Sequence, residues 1–368
     1  MKITSIRLHR LELPLAPPFH AAWDPVPRER FPATVVRVET DEGVTGFGSG
    51  DSMDGFEPYV GLFLGEDPMR MARHVRALET ISFHSGRYWP LEAALWDVVG
   101  KTLGVPVAQL FGGALDGVAA YASSGEAKNA QERVETALAL RERGFRAMKL
   151  RVAQDRVAEG MAAVRAVREA LGPEMALMVD LNQAWRMPGD VRPSHDPVVV
   201  RRVAEELAEL GVLWVEEPLP LTDADGLRRL RDSAAVRVSG GEMVRTYEEL
   251  LALVEADALD VYQPDVALAG GMLRCRTVAE LALAKNRWFT PHTWSNGMGL
   301  VANLHVTAGV GGGPWIEFPV DPPGWTEERR DFMLTEPLRI DADGLLRVPA
   351  APGLGVEVDE DALVRFAV

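Results

Sequence analysis

The sequence predicts an α/β protein built around a (β/α)7β barrel of the TIM type, with an α+β capping module before it and a tail after it. Two observations predict this class. Between residues 118 and 318, eight short apolar strands are separated by amphipathic helices, which is the strand count of a β/α barrel. The first 50 residues have instead the alternating pattern and the hairpin turn of antiparallel strands.

The capping module is predicted over residues 1–115. Apolar and polar residues alternate over residues 3–13 and 34–40, and Asp41-Glu42-Gly43 is typical of a tight turn before a third strand at residues 44–48. Helices are predicted at residues 67–79 and 90–103, where apolar side chains recur at helical spacing. The proline- and aromatic-rich segment 17–32 is expected to form a long loop.

The barrel is predicted over residues 116–330. Its strands are expected at residues 118–123, 147–151, 176–180, 213–216, 236–240, 258–263, 287–290 and 315–318. A doubly wound sheet is the alternative, but it normally has a glycine-rich phosphate turn after its first strand, where this chain has Ser123-Ser124-Gly125-Glu126. Residues 331–368 return to short strands and turns, and we expect this tail to pack on the capping module.

Composition and charge argue against several kinds of partner. The chain has 54 acidic and 39 basic residues and a formal net charge of −15, which disfavours nucleic acid or an anionic membrane. The one cysteine, Cys275, leaves no internal disulfide and fits a reducing cytosol. The first residues lack the apolar run of roughly 7–15 residues of a signal peptide, and no run approaches the roughly 18 of a membrane span. We therefore expect a cytoplasmic protein; the charge balance says little about its substrate.

Ionisable residues follow seven successive predicted strands. In chain order they are Lys149 with Arg151, Asp180, Glu216 with Glu217, Glu242, Asp265, His292 and Glu317. Barrel active sites lie at the carboxyl ends of the strands, so these side chains should converge. The carboxylates of Asp180, Glu216 and Glu242 would repel one another unless a cation lay among them, and an all-oxygen site suits Mg²⁺. Singly, such residues are most often helix caps or surface charges, but seven in succession would be costly to bury unless they formed one site.

In this order the motifs resemble those of the enolase superfamily, in its mandelate racemase/muconate lactonizing enzyme family and mandelate racemase subgroup. The resemblance covers essentially the whole chain. It rests on Lys149-Leu-Arg151, Val179-Asp180-Leu-Asn182, Trp214-Val-Glu216-Glu217-Pro218, Gly240-Gly241-Glu242, Gln263-Pro-Asp265, Gly270-Gly271, Pro291-His292 and Trp315-Ile-Glu317. It implies one Mg²⁺ per subunit, held by Asp180, Glu216 and Glu242.

The resemblance also implies roles for the other residues. Asp265 and His292 match the family's Asp–His dyad, in which the aspartate orients the histidine as an acid or base. Lys149 and a protonated Glu317 would stabilise, with the metal, the dianion that forms when the proton beside a carboxylate is removed. Residues 19–30 and 51–59 match the capping loops that close over the substrate, and we expect substrate contacts from His20, Trp23, Arg28 and Asn182. We also expect a homo-oligomer, from dimer to octamer.

One residue departs from the racemase pattern. Where that pattern has a second lysine that acts as a base, this chain has Arg151, and arginine hardly deprotonates in proteins. A dehydration needs one base and one acid, and His292 can serve as both if they act on one face of the substrate. We therefore favour an acid-sugar dehydratase, a hydro-lyase that gives a 2-keto-3-deoxy acid, in which Arg151 clamps or polarises the substrate.

Three alternatives remain open. A racemase or epimerase of a 2-hydroxy acid or sugar acid would use Arg151 or another group as an opposing base. A barrel metallohydrolase usually needs a His-x-His after its first strand, and residues 118–124 contain no histidine. A non-catalytic protein that keeps only the metal site does not explain the complete dyad.

Overall fold

In the computed structural model, which describes residues 1–50 and 52–368, the chain begins with a three-stranded antiparallel sheet. Its strands, in order across the sheet, are β1 (Ile3–Phe19), β2 (Arg28–Thr40) and β3 (Thr45–Gly50). The loop expected at residues 17–32 is shorter than predicted, because β1 and β2 extend into it and leave residues 20–27 between them. β1 is one of the two edge strands of this sheet, a position that tolerates its prolines Pro14 and Pro17.

Helices cover one face of this sheet. After a short 3-10 turn (Glu57–Leu62) come α1 (Met71–His84), α2 (Pro90–Leu103) and α3 (Val107–Leu110). α2 lies directly on β3 because β3 has glycines at the crossing; a Cβ at Gly46 would come 2.4 Å from the backbone oxygen of Ala94. α1 begins at Met71 rather than at residue 67, because the Asp67 side chain accepts the N–H of Met69 in a turn.

The predicted β/α barrel is confirmed. Its strands are β4 (Gly117–Ser123), β5 (Ala147–Arg151), β6 (Ala176–Asp180), β7 (Trp214–Glu216), β8 (Arg237–Gly240), β9 (Val261–Tyr262), β10 (Trp288–Phe289) and β11 (Trp315–Pro319). Each pairs in parallel with the next from β4 to β10, and β11 pairs with β4. Between β10 and β11 the Phe289 N–H donates to the Gly312 oxygen at 2.8 Å.

Seven helices alternate with these strands. They are α4 (Ala130–Glu142), α5 (Val157–Leu171), α6 (Pro197–Glu209), α7 (Ala224–Ser233), α8 (Tyr247–Glu255), α9 (Gly271–Ala284) and α10 (Gly297–Val310). α10 differs from the expected amphipathic pattern, since its residues from Gly297 to Gly309 are all buried. The reason is its position, because it contacts α3, α9 and β3 as well as the barrel strands. Of the helices in the described chain, none has the length and apolar character needed to cross a membrane.

Residues 331–368 pack on the capping sheet (β1 to β3) and also pair with the barrel, a contact that the expectation for this tail did not include. It contains β12 (Leu345–Arg347) and α12 (Glu360–Arg365), after α11 (Glu327–Arg330). β12 pairs antiparallel with the start of β4, which is free there because β5 pairs with β4 only at Ala122 and Ser123. At the capping sheet, the Glu12 N–H donates to the Phe366 oxygen at 2.8 Å.

Candidate active site at the carboxyl ends of the barrel strands

Three carboxylates converge at the ends of neighbouring strands. Asp180 ends β6, Glu216 ends β7, and Glu242 follows β8 by two residues. The strand register sets Asp180 beside Glu216, and Gly241, with a φ of +108° that favours glycine, turns the chain between β8 and Glu242. All three side chains are buried, and one carboxylate oxygen from each lies within 4.8 Å of the others.

This triad could hold one magnesium ion. Mg²⁺ binds oxygen ligands, and two ligands on opposite sides of one ion lie about 4 Å apart, close to the spacing found. Among the described residues Glu242 Oε2 has no hydrogen-bond partner although it is buried, and a bound cation would satisfy it. Burial raises the pKa of Asp180 well above its usual value and also raises the pKa of Glu242. The ionised triad therefore requires positive charge beside it.

Lys149 supplies part of that charge. Its buried ammonium group donates to Glu216 and to Glu317 Oε1 (2.7 Å), and lies 3.5 Å from Asp180 Oδ2. Burial opposes the charge of Lys149, but Glu216 and Glu317 raise its pKa above the usual value. Burial likewise opposes ionisation of Glu216, yet Lys149 and Arg151 lower the pKa of that carboxyl to about 2. Lys149 and Glu216 thus form a buried ion pair.

Arg151 is fixed by three acceptors. Its guanidinium donates to Asp180, to Asn182 Oδ1 (3.2 Å) and to the backbone oxygen of Ser124 (2.9 Å). Burial opposes its charge, but neighbouring carboxylates, Asp180 foremost, raise the pKa of Arg151 further above its usual value. Arg151 therefore stays protonated, which makes it a hydrogen-bond donor and a poor base.

The Asp265 and His292 side chains form the expected pair. Nδ1 of His292 lies 3.0 Å from Oδ2 of Asp265, and Nε2 lies 3.7 Å from Oε2 of Glu242. Burial would lower the pKa of His292, but Glu242, Glu317 and Asp265 together raise it to about 10. The arrangement favours the imidazolium form, with Asp265 on Nδ1 and with Nε2 on the side of Glu242.

Glu317 differs from the expectation that it is protonated. Its oxygens accept from Ser123 Oγ at 2.7 Å, from the Thr293 N–H at 2.6 Å and from Lys149. Burial raises the pKa of Glu317, but Lys149 and His292 outweigh burial and lower it below the usual value. Three donors and two neighbouring cations therefore keep this carboxylate ionised.

A pocket of about 170 Å³ lies beside these groups. The side chains lining it include the predicted Trp23, Arg28, Arg151, Asn182, Glu242 and His292, together with Trp185, Met187, Met243, Leu268 and Trp294. Two indoles flank the Arg151 guanidinium, whose central carbon is 4.5 Å from the ring centre of Trp23 and 5.8 Å from that of Trp294. Asn182 has a φ of +46°, and its side-chain nitrogen is buried without a partner among the described residues, so it is free to donate to a ligand.

His20 lies outside this pocket, which corrects the prediction that it contacts substrate there. It is exposed and lines a larger cavity of about 890 Å³ with Glu126 and Lys128. The Ala22 N–H donates to the Gly125 oxygen at 2.8 Å, and this contact leaves His20 outside while Trp23 lines the pocket. Of the segment 51–59, Asp51 lies outside the described residues; Ser52 and Asp54 line an open groove of about 580 Å³ that Arg28 also borders.

Several residues of the site were not predicted from the sequence. Trp185 donates its indole N–H to Glu242 Oε1 at 2.8 Å, and Trp294 donates its own to Ser123 Oγ at 2.8 Å. Both tryptophans follow a strand-end motif by two or three residues. An aromatic side chain so close to such a motif was the sequence feature that could have indicated them. Asn303 donates to Asp265 Oδ1 at 2.9 Å from the middle of α10, and a polar side chain within a mostly apolar helix was the corresponding signal.

Comparison with known proteins agrees with this fold. Residues 132–362 match the enolase C-terminal domain-like family, and residues 3–112 match the mandelate racemase/muconate lactonizing enzyme N-terminal domain. The chain therefore belongs to the enolase superfamily, in the mandelate racemase/muconate lactonizing enzyme family.

Relatives in this family catalyse different reactions. The chain is 30% identical to D-galactarolactone cycloisomerase of Agrobacterium fabrum over 100% of this chain and 99% of the relative. It is 30% identical to L-talarate/galactarate dehydratase of Salmonella typhimurium over 81% of this chain and 71% of the relative. A racemase from Streptomyces coelicolor, solved with bound magnesium, is 27% identical with a TM-score of 0.85, and the match covers 100% of each chain.

Proposed function

We propose that this protein is a magnesium-dependent acid-sugar dehydratase that converts a 2,3-dihydroxy acid into a 2-keto-3-deoxy acid. The observation that carries the proposal is the pairing, in one pocket, of an Asp265–His292 dyad with a protonated Arg151 instead of a second lysine. The dyad supplies an acid and a base, whereas Arg151 supplies only a donor. The acid-sugar dehydratase among the relatives supports the same reaction class.

In this proposal Asp180, Glu216 and Glu242 hold one Mg²⁺ per subunit. When bound, the ion would act as a Lewis acid for the charge that develops on the substrate carboxylate. The support is the donor set, three buried carboxylates within 4.8 Å, with one oxygen of Glu242 unpartnered among the described residues.

Lys149 and Arg151 bind the substrate carboxylate end in this account. Lys149 is held by Glu216 and Glu317, so it is already oriented before substrate arrives and needs no reorganisation as negative charge grows. Arg151 and Nδ2 of Asn182, which has no partner among the described residues, would donate to the carboxylate or to the 2-hydroxyl group. Because Glu317 is ionised without substrate, it would either take up a proton with the substrate or hold Lys149 in place.

His292 moves the proton. His292 acts here in its neutral form, since a cation bound by Glu242 would offset the charge that favours the imidazolium. Its Nε2 takes the proton from C2, and the C–H electron pair forms the C1–C2 double bond of the enolate. The resulting imidazolium, favoured by Asp265 and Glu242, gives that proton to the C3 hydroxyl, which leaves as water while the electron pair forms the C2–C3 double bond. The enol product then tautomerises to the 2-keto-3-deoxy acid.

The second candidate is a racemase or epimerase of a 2-hydroxy acid or sugar acid. The racemase among the similar structures favours it. It needs a second base facing His292, and Arg151, the residue at the position of the family's second lysine, has a raised pKa. The dehydratase therefore remains the better supported of the two.

The test is a screen of monoacid and diacid sugars for 2-keto product, with Mg²⁺ and after EDTA treatment. We expect at least one acid to give keto product only with the metal. Turnover unaffected by EDTA, or conversion of an acid into its epimer without keto product, would contradict the dehydratase.

Two further proposals concern the setting of the enzyme. A cytoplasmic location is supported by the single cysteine, which is buried. A homo-oligomer between dimer and octamer is proposed from the family resemblance, and light scattering coupled to gel filtration measures it.

A further inference from the structure

α10 carries an amide where its pattern calls for an apolar side chain. Asn303 is fully buried in the middle of this helix, with Leu304 and Ala302 buried on either side. Asparagine is a weak helix former, and burial of an amide costs free energy unless every polar atom is bonded. The presence of Asn303 therefore calls for a reason other than helix formation or core packing.

The contacts of Asn303 supply that reason. Its Nδ2 donates to Asp265 Oδ1 at 2.9 Å and to the Gly299 oxygen at 3.0 Å, and its Oδ1 accepts the Val266 N–H at 3.0 Å. The Ala267 N–H also donates to Asp265 Oδ1, at 2.8 Å. One amide thus holds the Asp265 carboxylate and the backbone that follows it.

These hydrogen bonds give the two carboxylate oxygens of Asp265 different partners. Oδ1 has two donors from the protein, whereas Oδ2 faces Nδ1 of His292 at 3.0 Å. Rotation of the carboxylate would break both hydrogen bonds at Oδ1. These two bonds therefore keep Oδ2 directed toward the imidazole. A hydrogen bond on Nδ1 in turn sets which ring nitrogen is available for chemistry.

We infer that Asn303 is a positioning residue for the dyad, which fixes Asp265 and through it the ring orientation and tautomer of His292. The inference rests on the proposed function, since it concerns how the acid/base group is held. Asn303 does not line the substrate pocket and is not itself catalytic.

The first test reads the dyad without substrate. In protein labelled with ¹⁵N-histidine, the imidazole Nδ1–H resonance of His292 is assigned by its loss in His292→Asn. In Asn303→Ala we expect this resonance to shift or to disappear through exchange with water. A resonance unchanged in Asn303→Ala, or absent from the native protein, would overturn the inference. Because Asn303→Ala leaves a cavity, Asn303→Leu, which fills a similar volume without hydrogen bonds, is measured beside it.

The second test uses turnover. Asn303→Ala and Asn303→Leu should lower kcat by about 10–100-fold with KM changed by less than about threefold, since the groups that bind substrate are untouched. The matched control is Thr307→Val, which removes the Thr307 Oγ1 bond to the Asn303 oxygen one turn along the same buried helix. Thr307→Val should keep native kcat. An equal loss of kcat in Thr307→Val and Asn303→Leu would reduce Asn303 to a structural residue.

The two tests separate this inference from the proposed function. If no acid sugar is dehydrated, the proposed function fails, but the resonance of His292 still decides the role of Asn303. If dehydration occurs and the Asn303 variants keep both kcat and the resonance, only the inference on Asn303 fails.

Discussion

Arg151 at the end of β5 lies under Trp23 of the capping loop, with its guanidinium carbon 4.5 Å from the indole centre. The same guanidinium donates to Asp180, so one side chain contacts both the candidate metal triad and the loop that covers it. The capping loop therefore contacts the candidate active site through a cation–π interaction between Trp23 and Arg151. This interaction is directional and depends on the aromatic ring.

The first prediction concerns this contact. Trp23→Ala should raise KM by about 2–30-fold, the range that corresponds to the loss of about 0.5–2 kcal/mol of cation–π interaction, with a smaller effect on kcat. Trp23→Phe keeps an aromatic face and should recover part of the affinity. Steady-state kinetics on the acid identified by the screen measure both variants. Native KM in Trp23→Ala would show that the loop does not depend on Arg151.

A second prediction concerns the metal. Glu242→Gln should weaken Mg²⁺ binding, measured by isothermal titration calorimetry, by at least about 100-fold, because it replaces a buried carboxylate of the triad, one oxygen of which has no hydrogen-bond partner among the described residues. Glu248→Gln, at an exposed position on α8, is the control and should bind as the native protein does. Equal affinities in the two variants would remove Glu242 from the site.

A third prediction separates His292 from Arg151. His292→Asn should lower dehydration by about 10²–10⁴-fold while Mg²⁺ still binds, because the histidine is not among the proposed ligands. Arg151→Met should mainly raise KM, since its guanidinium donates and does not accept protons. Exchange of the C2 proton with deuterated solvent checks the assignment. If His292→Asn still exchanges this proton and Arg151→Met does not, the base is Arg151 and His292 only expels hydroxide.

The order of the strands and the convergence of the site side chains could be predicted, because each ionisable residue lies near the end of its strand or shortly after it in the sequence. Asp180, Glu216 and Glu242 lie together because parallel neighbours end at one edge, a rule that needs no coordinates. The position of His20 could not be predicted, because it depends on a backbone contact between residues 22 and 125. Asn303 was missed for a similar reason, since its partner Asp265 is 38 residues away, in the segment that follows β9.

The pairing of β12 with β4 likewise could not be predicted from the sequence. Its partner is the first part of β4, and nothing in the local pattern of β4 shows that β5 pairs only with its last two residues. The division into residues 1–115, 116–330 and 331–368 stays a prediction.

A fourth prediction concerns stability and pH. His305 is buried, accepts the Ala108 N–H on Nδ1 at 2.9 Å and donates from Nε2 to the Leu354 oxygen at 3.0 Å. Burial lowers its pKa to about 4, so the unfolded chain binds the proton more readily than the folded one. The stability that neutral His305 contributes is fully present above pH 6.5. As the pH falls from 6.5 toward 4, the free energy of unfolding decreases by about 3 kcal/mol.

Denaturant unfolding of His305→Gln checks this. The difference in free energy of unfolding between the native protein and His305→Gln should shrink by about that amount between pH 7 and pH 4, because the variant cannot titrate there. His84→Gln, at an exposed position, is the control, and its difference should stay nearly constant. A His305→Gln difference that does not vary with pH would show that His305 is not held neutral by the fold.

The central claim is that the site removes the proton beside a carboxylate and then expels water. Its most direct test is ¹H NMR of the enzyme with Mg²⁺ and an acid sugar in deuterated water. The account predicts a 2-keto-3-deoxy product, formed only with the metal and lost in His292→Asn. Recovered substrate that carries deuterium at C2, together with its C2 epimer and no keto product, would contradict it and identify a racemase or epimerase.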